Sequence, residues 1–279
     1  CSTTPARATA TPSTSPPTLQ PVEMLNLMMA YTHTESKEVS GMPGNDPVST
    51  WQGLITIDGP NFGTVQRSRY VIPDRLIGSA TWTIPFTYKG LARNTNLSLF
   101  YTGYSATGNS FCYTNDMNGD GINNDLMYIP AKGENLNFVN PDDAIAFEAF
   151  MNQDKYLSSH RGQYAEAYAA RAPWVHQFDL RIMEEFEFRI GKTKHAIQLS
   201  FDIMNFGNLL NSSWGVQKIA TQASNGCRVL KYEGVNAAGQ PTYSMQKNAN
   251  GEYYSQTYDY SFNNSQCWQM QVGVKYIFK

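Results

Sequence analysis

Between Asn115 and Pro130 the chain reads NDMNGDGINNDLMYIP, and this is the stretch whose residue types could do chemistry. Asp116, Asn118 and Asp120 carry oxygen side chains at alternate positions, and Gly121 follows the third. Calcium takes six to eight oxygen ligands, and a D-x-N-x-D-G run lets a short loop wrap around the ion. In that reading Asp116, Asn118 and Asp120 give side-chain oxygens and Ile122 its carbonyl, while Asn124 or Asp125 closes the sphere. The Glu that ends an EF-hand loop at the twelfth position is missing, since Met127 stands there. The other reading needs no metal, because Asn, Asp and Gly build turns by themselves.

Little else in the chain points to reactivity. His33, His160, His176 and His195 are scattered at no metal-ligand spacing, and no Gly-x-Ser-x-Gly or other nucleophile motif occurs, so an enzyme is not expected. Cys227 and Cys267 flank one long polar loop and could pair in an oxidising compartment, or remain two free thiols. Cys112 has no evident partner. A net charge of −2 and a pI near 6.1 give no reason to expect a nucleic-acid surface.

The elements that must position these residues read as strands, because apolar and polar side chains alternate with period two. Six such stretches are expected: Met24–His33, Arg67–Tyr88, Asn94–Tyr104, Trp174–Ile190, His195–Asn205 and Cys267–Lys279. In the last, Trp268, Met270, Val272, Val274, Tyr276 and Phe278 face one way, against Gln269, Gln271, Gly273 and Lys275. Glu184 breaks the pattern by falling on the apolar side of its strand, where a bulge or a twist towards the polar side is expected.

The connections alternate strictly between short and long. Lys89–Arg93 and Gly191–Lys194 are tight turns, while about 34–66, 105–173 and 206–266 are long. The second long connection carries one or two short helices between Ala144 and Arg171. In an up-and-down meander this puts all turns at one end and all long loops at the other. Outer-membrane barrels are built that way, with short periplasmic turns and long extracellular loops. The expected fold class is therefore all-β, an antiparallel meander of about six long strands, spanning residues 23–279. A soluble β-sandwich would also alternate, but structureless loops of this length are uncommon there.

Composition agrees with a bilayer as the environment. Charged residues are 16% and aromatics 13%, with 17 Tyr, which suits rings at membrane interfaces. Trp82, Tyr88, Trp174, Trp214 and Tyr276 are candidates for such girdles. No run approaches the apolar length a membrane helix needs, so strands would have to do the crossing. Residues 1–22 are rich in Ser, Thr, Pro and Ala and are expected to lack structure. Cys1 could be a lipid-bearing residue followed by a tether, or an arbitrary start.

Several motifs add a resemblance. LMMAYTHTESK (27–37), YVIPDR (70–75), the Asn115–Pro130 run, Ala172-Pro-Trp174 with Phe178-Asp-Leu-Arg181, and SFDIMNFGNLLN (200–211) followed by Trp214-Gly215 resemble the carboxy-terminal part of Oar-like TonB-dependent receptors. These are outer-membrane transporters found especially in Bacteroidetes-type bacteria, and the motifs cover most of residues 24–279. The resemblance implies a 22-strand transmembrane barrel filled by a plug, importing or exporting a large substrate with energy delivered by TonB. Its partners would be the outer-membrane bilayer, the rest of the barrel and the plug, and TonB through the amino-terminal part. About six strands cannot enclose a plug, since barrel diameter grows with strand number, so the chain reads as an incomplete segment, not competent alone. The final Lys279 after Phe278 departs slightly from the usual terminal aromatic. The last strand is expected to be an unpaired edge. The alternative is a lipid-anchored, soluble β-sheet surface protein that binds glycan or protein.

Overall fold

The computed structural model describes residues 18–22, 24–88, 91–106, 108–221 and 227–278, with backbone alone for 18–22, 86–88, 91 and 92. One antiparallel sheet runs in chain order through β1 (Thr18–Val22), β2 (Leu25–His33), β3 (Asp74–Tyr88), β4 (Leu91–Tyr104), β5 (Val175–Ile190), β6 (Thr193–Met204) and β7 (Gln269–Phe278). The expected meander is present, with β7 at one edge. It has one strand more than expected. Part of the tract expected to lack structure folds back on β2, pairing Thr18 with Met28 and Leu19 with Leu27. An edge strand needs only one side of its backbone, which is why Pro21, with no N–H to give, is tolerated there. Residues 1–17, including Cys1, lie outside the described residues.

Directly opposed residues of an antiparallel pair share a face. The register sets Leu27, Ala80, Leu99, Leu180, Ile203 and Met270 in one row across β2–β7, and Leu25, Trp82, Leu97, Ile182, Phe201 and Val272 in the next. The opposite face is polar and cross-linked. Thr81 and Ser98 hydroxyls lie 3.0 Å apart, Thr83 donates to Asn96 at 2.7 Å, Gln198 donates to Glu185 at 3.1 Å, and Arg181 pairs with Asp202.

Glu184 needs neither a bulge nor a twist, and that expectation is corrected. The pairing of β5 runs through it without a register shift on both sides, opposing it to Thr95 and Leu199. It stays on the apolar face because its charge is met there. Arg93 Nε donates to Glu184 Oε1 at 2.7 Å, Thr95 donates to the other oxygen, and the Arg93 guanidinium lies 4.6 Å from the Phe186 ring centre.

Several boundaries also move, among them the start of β4, at Leu91 and not Asn94. β3 begins at Asp74, seven residues later than the expected Arg67, because Pro73 cannot donate to a ladder. The β5–β6 hairpin closes in two residues, Gly191-Lys192, with Ile190 opposite Thr193. Gly191 takes φ +62°, the left-handed conformation that a primed hairpin turn demands. In the β3–β4 turn, Lys89 and Gly90 lie outside the described residues.

The three long connections are packed structure. α1 (Pro47–Gly53) is in the first; α2 (Pro141–Gln153) and α3 (Lys155–Ser159) are in the second; α4 (Phe206–Leu210) follows β6. The two expected helices are thus found, starting at Pro141 and ending at Ser159. Asn140 caps α2 and Pro141 opens it, with Asp142 and Asp143 favouring the positive end of the helix dipole. Asp154 caps α3, accepting from Tyr156 and Leu157 N–H at 2.9 Å each.

Short strands then join the second and third connections. Asn137–Phe138, Pro241–Met245, Cys227–Val235 and Phe111–Tyr113 form a four-stranded sheet in that order. A continuous core including Ile55, Phe111, Met127, Phe147, Phe150, Leu157, Val229 and Leu230 lies inside this cap, and every member belongs to one of the three long connections. Two buried acids fasten it. Asp143 accepts from Met245 N–H (3.1 Å) and Tyr253 OH (2.5 Å), and Asp154 accepts from Thr257 OH (2.7 Å). The packed core therefore sits at the loop end, and the apolar face of the sheet is not covered by it.

Candidate functional site

Two surfaces stand out: the bare apolar face of the sheet and the loop cap. On the face, Val272, Val274 and Phe278 are 67%, 73% and 73% exposed, and Leu97, Leu99 and Ile182 in the central strands are exposed as well. Water-facing side chains of this kind are normally scattered singly, whereas contiguous patches mark an interaction surface.

Aromatic residues border the face at both ends. At the loop end Trp174 stacks on His176 (6.1 Å), His176 Nδ1 is 2.7 Å from Tyr101 OH, and Tyr101 tilts against Phe178 at 5.0 Å. The Tyr101 ring lies across Gly103, where a Cβ would come within 2.2 Å of its hydroxyl. At the turn end His195 stacks between Phe188 (5.5 Å) and Tyr276 (5.8 Å). Phe178 and Phe188 lie in one strand, so the rows are ten residues apart, roughly 34 Å along β5 at about 3.4 Å per residue.

Of the expected girdle residues, Trp174 and Tyr276 fall in these belts. Trp82 does not; opposite Leu25 and Leu97, it sits mid-strand on the apolar face. Trp214 lies in the third connection, outside the sheet, and the Tyr88 side chain is outside the described residues.

Trp214 belongs instead to the knot that ends β6 and starts β7. Asn205 adopts a left-handed backbone (φ +50°), receives Asp179 as partner for its N–H at 2.7 Å, and donates through Nδ2 to Gln266 O at 2.7 Å. Asn208 Nδ2 donates to the Ser212 and Trp214 carbonyls, and its Oδ1 accepts from Trp268 N–H. Gly215 also has positive φ (+66°), and a Cβ there would stand 2.0 Å from Asn205 Oδ1. The Asn-Phe-Gly-Asn and Trp-Gly motifs thus position strands.

The cap holds the Asp/Asn loop. Asp116 Oδ1 accepts from Gly119 N–H (2.7 Å) and Asp120 N–H (3.2 Å), and its Oδ2 accepts from Gly121 N–H (2.7 Å). Asn118 Oδ1 accepts from Asp120 N–H, and Asp120 Oδ1 from Ile122 N–H, both at 2.9 Å. Asp125 turns one oxygen back into the loop, accepting from Met117 N–H at 2.7 Å and Asn118 N–H at 3.3 Å. Burial, together with the nearby Asp120 and Asp116 charges, pushes the Asp125 carboxyl up despite those bonds. Asn124 donates through Nδ2 to Leu54 O of the first connection at 2.6 Å, and its Oδ1 is buried without a hydrogen-bond partner. Among the described residues no three His, Cys, Asp or Glu side chains are gathered as a ready metal cluster.

Two of the scattered histidines have structural partners. His33 pairs with Asp74 at 2.8 Å, and His160 stacks on Tyr156 at 4.1 Å. Cys227 does not bond to Cys267: the first is buried beside Phe111 in the cap sheet and the second is exposed, so both are free thiols. Burial pushes the Cys112 thiol up to about 12 and raises that of Cys227 too, so neither is activated. Clefts open on the cap. One of about 400 Å³ is lined by Lys37, Asp58, Arg67, Tyr164 and Glu166, and one of about 530 Å³ by Lys155, Tyr156, Arg171, Trp174 and Lys218.

Fold and surfaces together define an open, two-faced antiparallel meander whose long loops form a packed cap at one end. No family model, curated protein or solved structure matches the chain.

Proposed function

We propose that the chain is the carboxy-terminal part of a TonB-dependent outer-membrane transporter, with the apolar face towards lipid and the cap on the extracellular side. The observation that carries this reading is the uncovered apolar face, bordered by aromatic rows ten residues apart along β5; at the 35–45° tilt of barrel strands that spacing is about 24–28 Å along a membrane normal, against an apolar band of about 25 Å. In a larger barrel with the polar face turned inwards, that apolar face would be left to the bilayer. The polar, hydrogen-bonded opposite face suits a lumen. β1 and β7 are not paired with each other, so the seven strands form an open sheet, as expected of part of a wider barrel.

Transport of a large substrate follows from the resemblance in the TonB-dependent motifs, and the charged and aromatic clefts of the cap give an incoming substrate polar and stacking contacts. The orientation follows from the connections: tight turns at the periplasmic end and packed loops outside. The test is fractionation and gel migration of the intact gene product. Recovery with the outer membrane, extraction only by detergent and heat-modifiable migration support the proposal. A product soluble without detergent, or released with lipid-anchored proteins, refutes it.

A further inference from the structure

We infer that the Asp116–Asp125 loop is a Ca²⁺ clamp that fastens the first long connection to the second, with Asp125 as its closing ligand. The inference concerns the cap alone, and only the use of detergent and the affinity range in its test rest on the membrane reading.

The first observation is an unused oxygen. Asp125 is 4% exposed; its Oδ2 is fixed in the loop by the Met117 and Asn118 N–H groups, while its Oδ1 has no hydrogen-bond partner. A buried carboxylate oxygen left empty is costly unless a proton or a cation meets it. The second is uncompensated charge. Asp116, Asp120 and Asp125 place three carboxyl groups in ten residues, and among the described residues no ion pair reaches any of them. The Arg228 guanidinium donates to the Asn123 carbonyl.

The oxygen set suits a hard ion with flexible coordination. Asp116, Asn118 and Asp120 keep lone pairs beyond those taken by backbone N–H groups, since an ionised carboxylate has about four acceptor sites. The Ile122 carbonyl and water complete the six to eight oxygens calcium takes, a number and mixture that suit Mg²⁺ less well. Binding draws the carboxylates inwards from their present separation. Asn124, the other candidate closing residue, donates through Nδ2 to Leu54 O of the first connection; its Oδ1 is also buried and without a hydrogen-bond partner, but it carries no charge to offset an ion.

That contact explains why an ion here would act as a clamp. Thr56 N–H donates to Asn124 O and Leu126 N–H to Thr56 O, at 3.3 and 3.0 Å, so the loop docks edge-on against Leu54–Thr56. Gly59, at φ +89°, approaches so closely that a Cβ would be 3.1 Å from Asp120 Oδ2. The loop's charge therefore lies at the seam between the two connections.

The experiment uses the full chain folded in detergent, with CaCl2 as probe and MgCl2 as control. Extracellular calcium modules bind at about 0.1–1 mM. At about 10 mM CaCl2, opening of the seam and hence limited proteolysis within residues 34–73 and 105–130 should slow by about 10–100-fold relative to EGTA. Calorimetry should show Ca²⁺ binding in the same concentration range. Asp125→Asn keeps an acceptor for Met117 and should remove the calcium response while leaving the EGTA cleavage rate near that of wild type; Asp120→Asn is the second variant if Asp125→Asn does not fold. Wild-type protein without calorimetric heat and with equal cleavage in CaCl2 and EGTA overturns the inference. A full response in Asp125→Asn overturns the assignment of Asp125.

Discussion

Placing an arginine on the apolar face at Leu97 separates a lipid environment from water by sign as well as size. Leu97 lies in a central strand between Trp82 and Ile182, on the row four residues from Phe178. Four residues are about 14 Å of strand, or about 10 Å along the normal at 35–45° tilt, which puts Leu97 near the middle of an apolar band of about 25 Å. An arginine at that depth costs about 2–4 kcal/mol in outer-membrane barrels, a 30- to 900-fold change in the folding equilibrium. In water the same side chain is 38% exposed, and its replacement should stay within about 0.5 kcal/mol. The control is Asn96→Arg, one residue away on the polar face, where the loss is the Thr83 hydrogen bond, about 1 kcal/mol. Reversible urea unfolding from lipid vesicles measures both. A Leu97→Arg cost below about 0.5 kcal/mol, or one equal to that of Asn96→Arg, refutes the lipid-facing assignment.

Removing one member of the Arg93–Glu184 pair should be worse than removing both. Glu184→Ala removes the carboxylate that meets Arg93 on the apolar face and should cost about 3 kcal/mol, while Arg93→Leu with Glu184→Leu should recover most of it, as read by the same urea titration. Gly215→Ala combines a left-handed φ with a contact that cannot be accommodated, so it should destabilise by about 2 kcal/mol or more and increase proteolysis near Asn205. The Arg161 guanidinium beside Glu148 holds that carboxyl below its usual range. A lowered carboxyl pKa gives stability present above the unfolded value near 4.5 and lost as pH falls through the folded value. Because Glu148 is half exposed, Glu148→Gln should cost only about 0.5 kcal/mol at pH 7, with the difference from wild type vanishing on acid titration of cap unfolding.

What was legible in the sequence was what repeats locally. Leu97-Ser-Leu99 and Val272-Gly-Val274 announce their faces because alternation needs only neighbours, and the Asp116–Asp125 run announces a tight oxygen-rich loop for the same reason. Glu184 was misread because its answer lies 91 residues away in Arg93, and no period in β5 carries that information. The cap was illegible for a related cause. Phe111–Tyr113 runs parallel to a strand beginning at Cys227, and Asp143 waits for Tyr253; each is an apolar run or a helix-start acid until its partner arrives. Composition also misled at Thr18–Val22, where backbone hydrogen bonding to β2 forms a strand without a hydrophobic pattern to foretell it. The division is itself informative. A sheet specified by local alternation requires only a two-sided solvent, whereas a cap specified by distant contacts must fold as a unit. If the bilayer supplies the first, the loops can vary their clefts freely so long as Asp143, Asp154 and the seam at Leu54–Thr56 continue to hold the cap together.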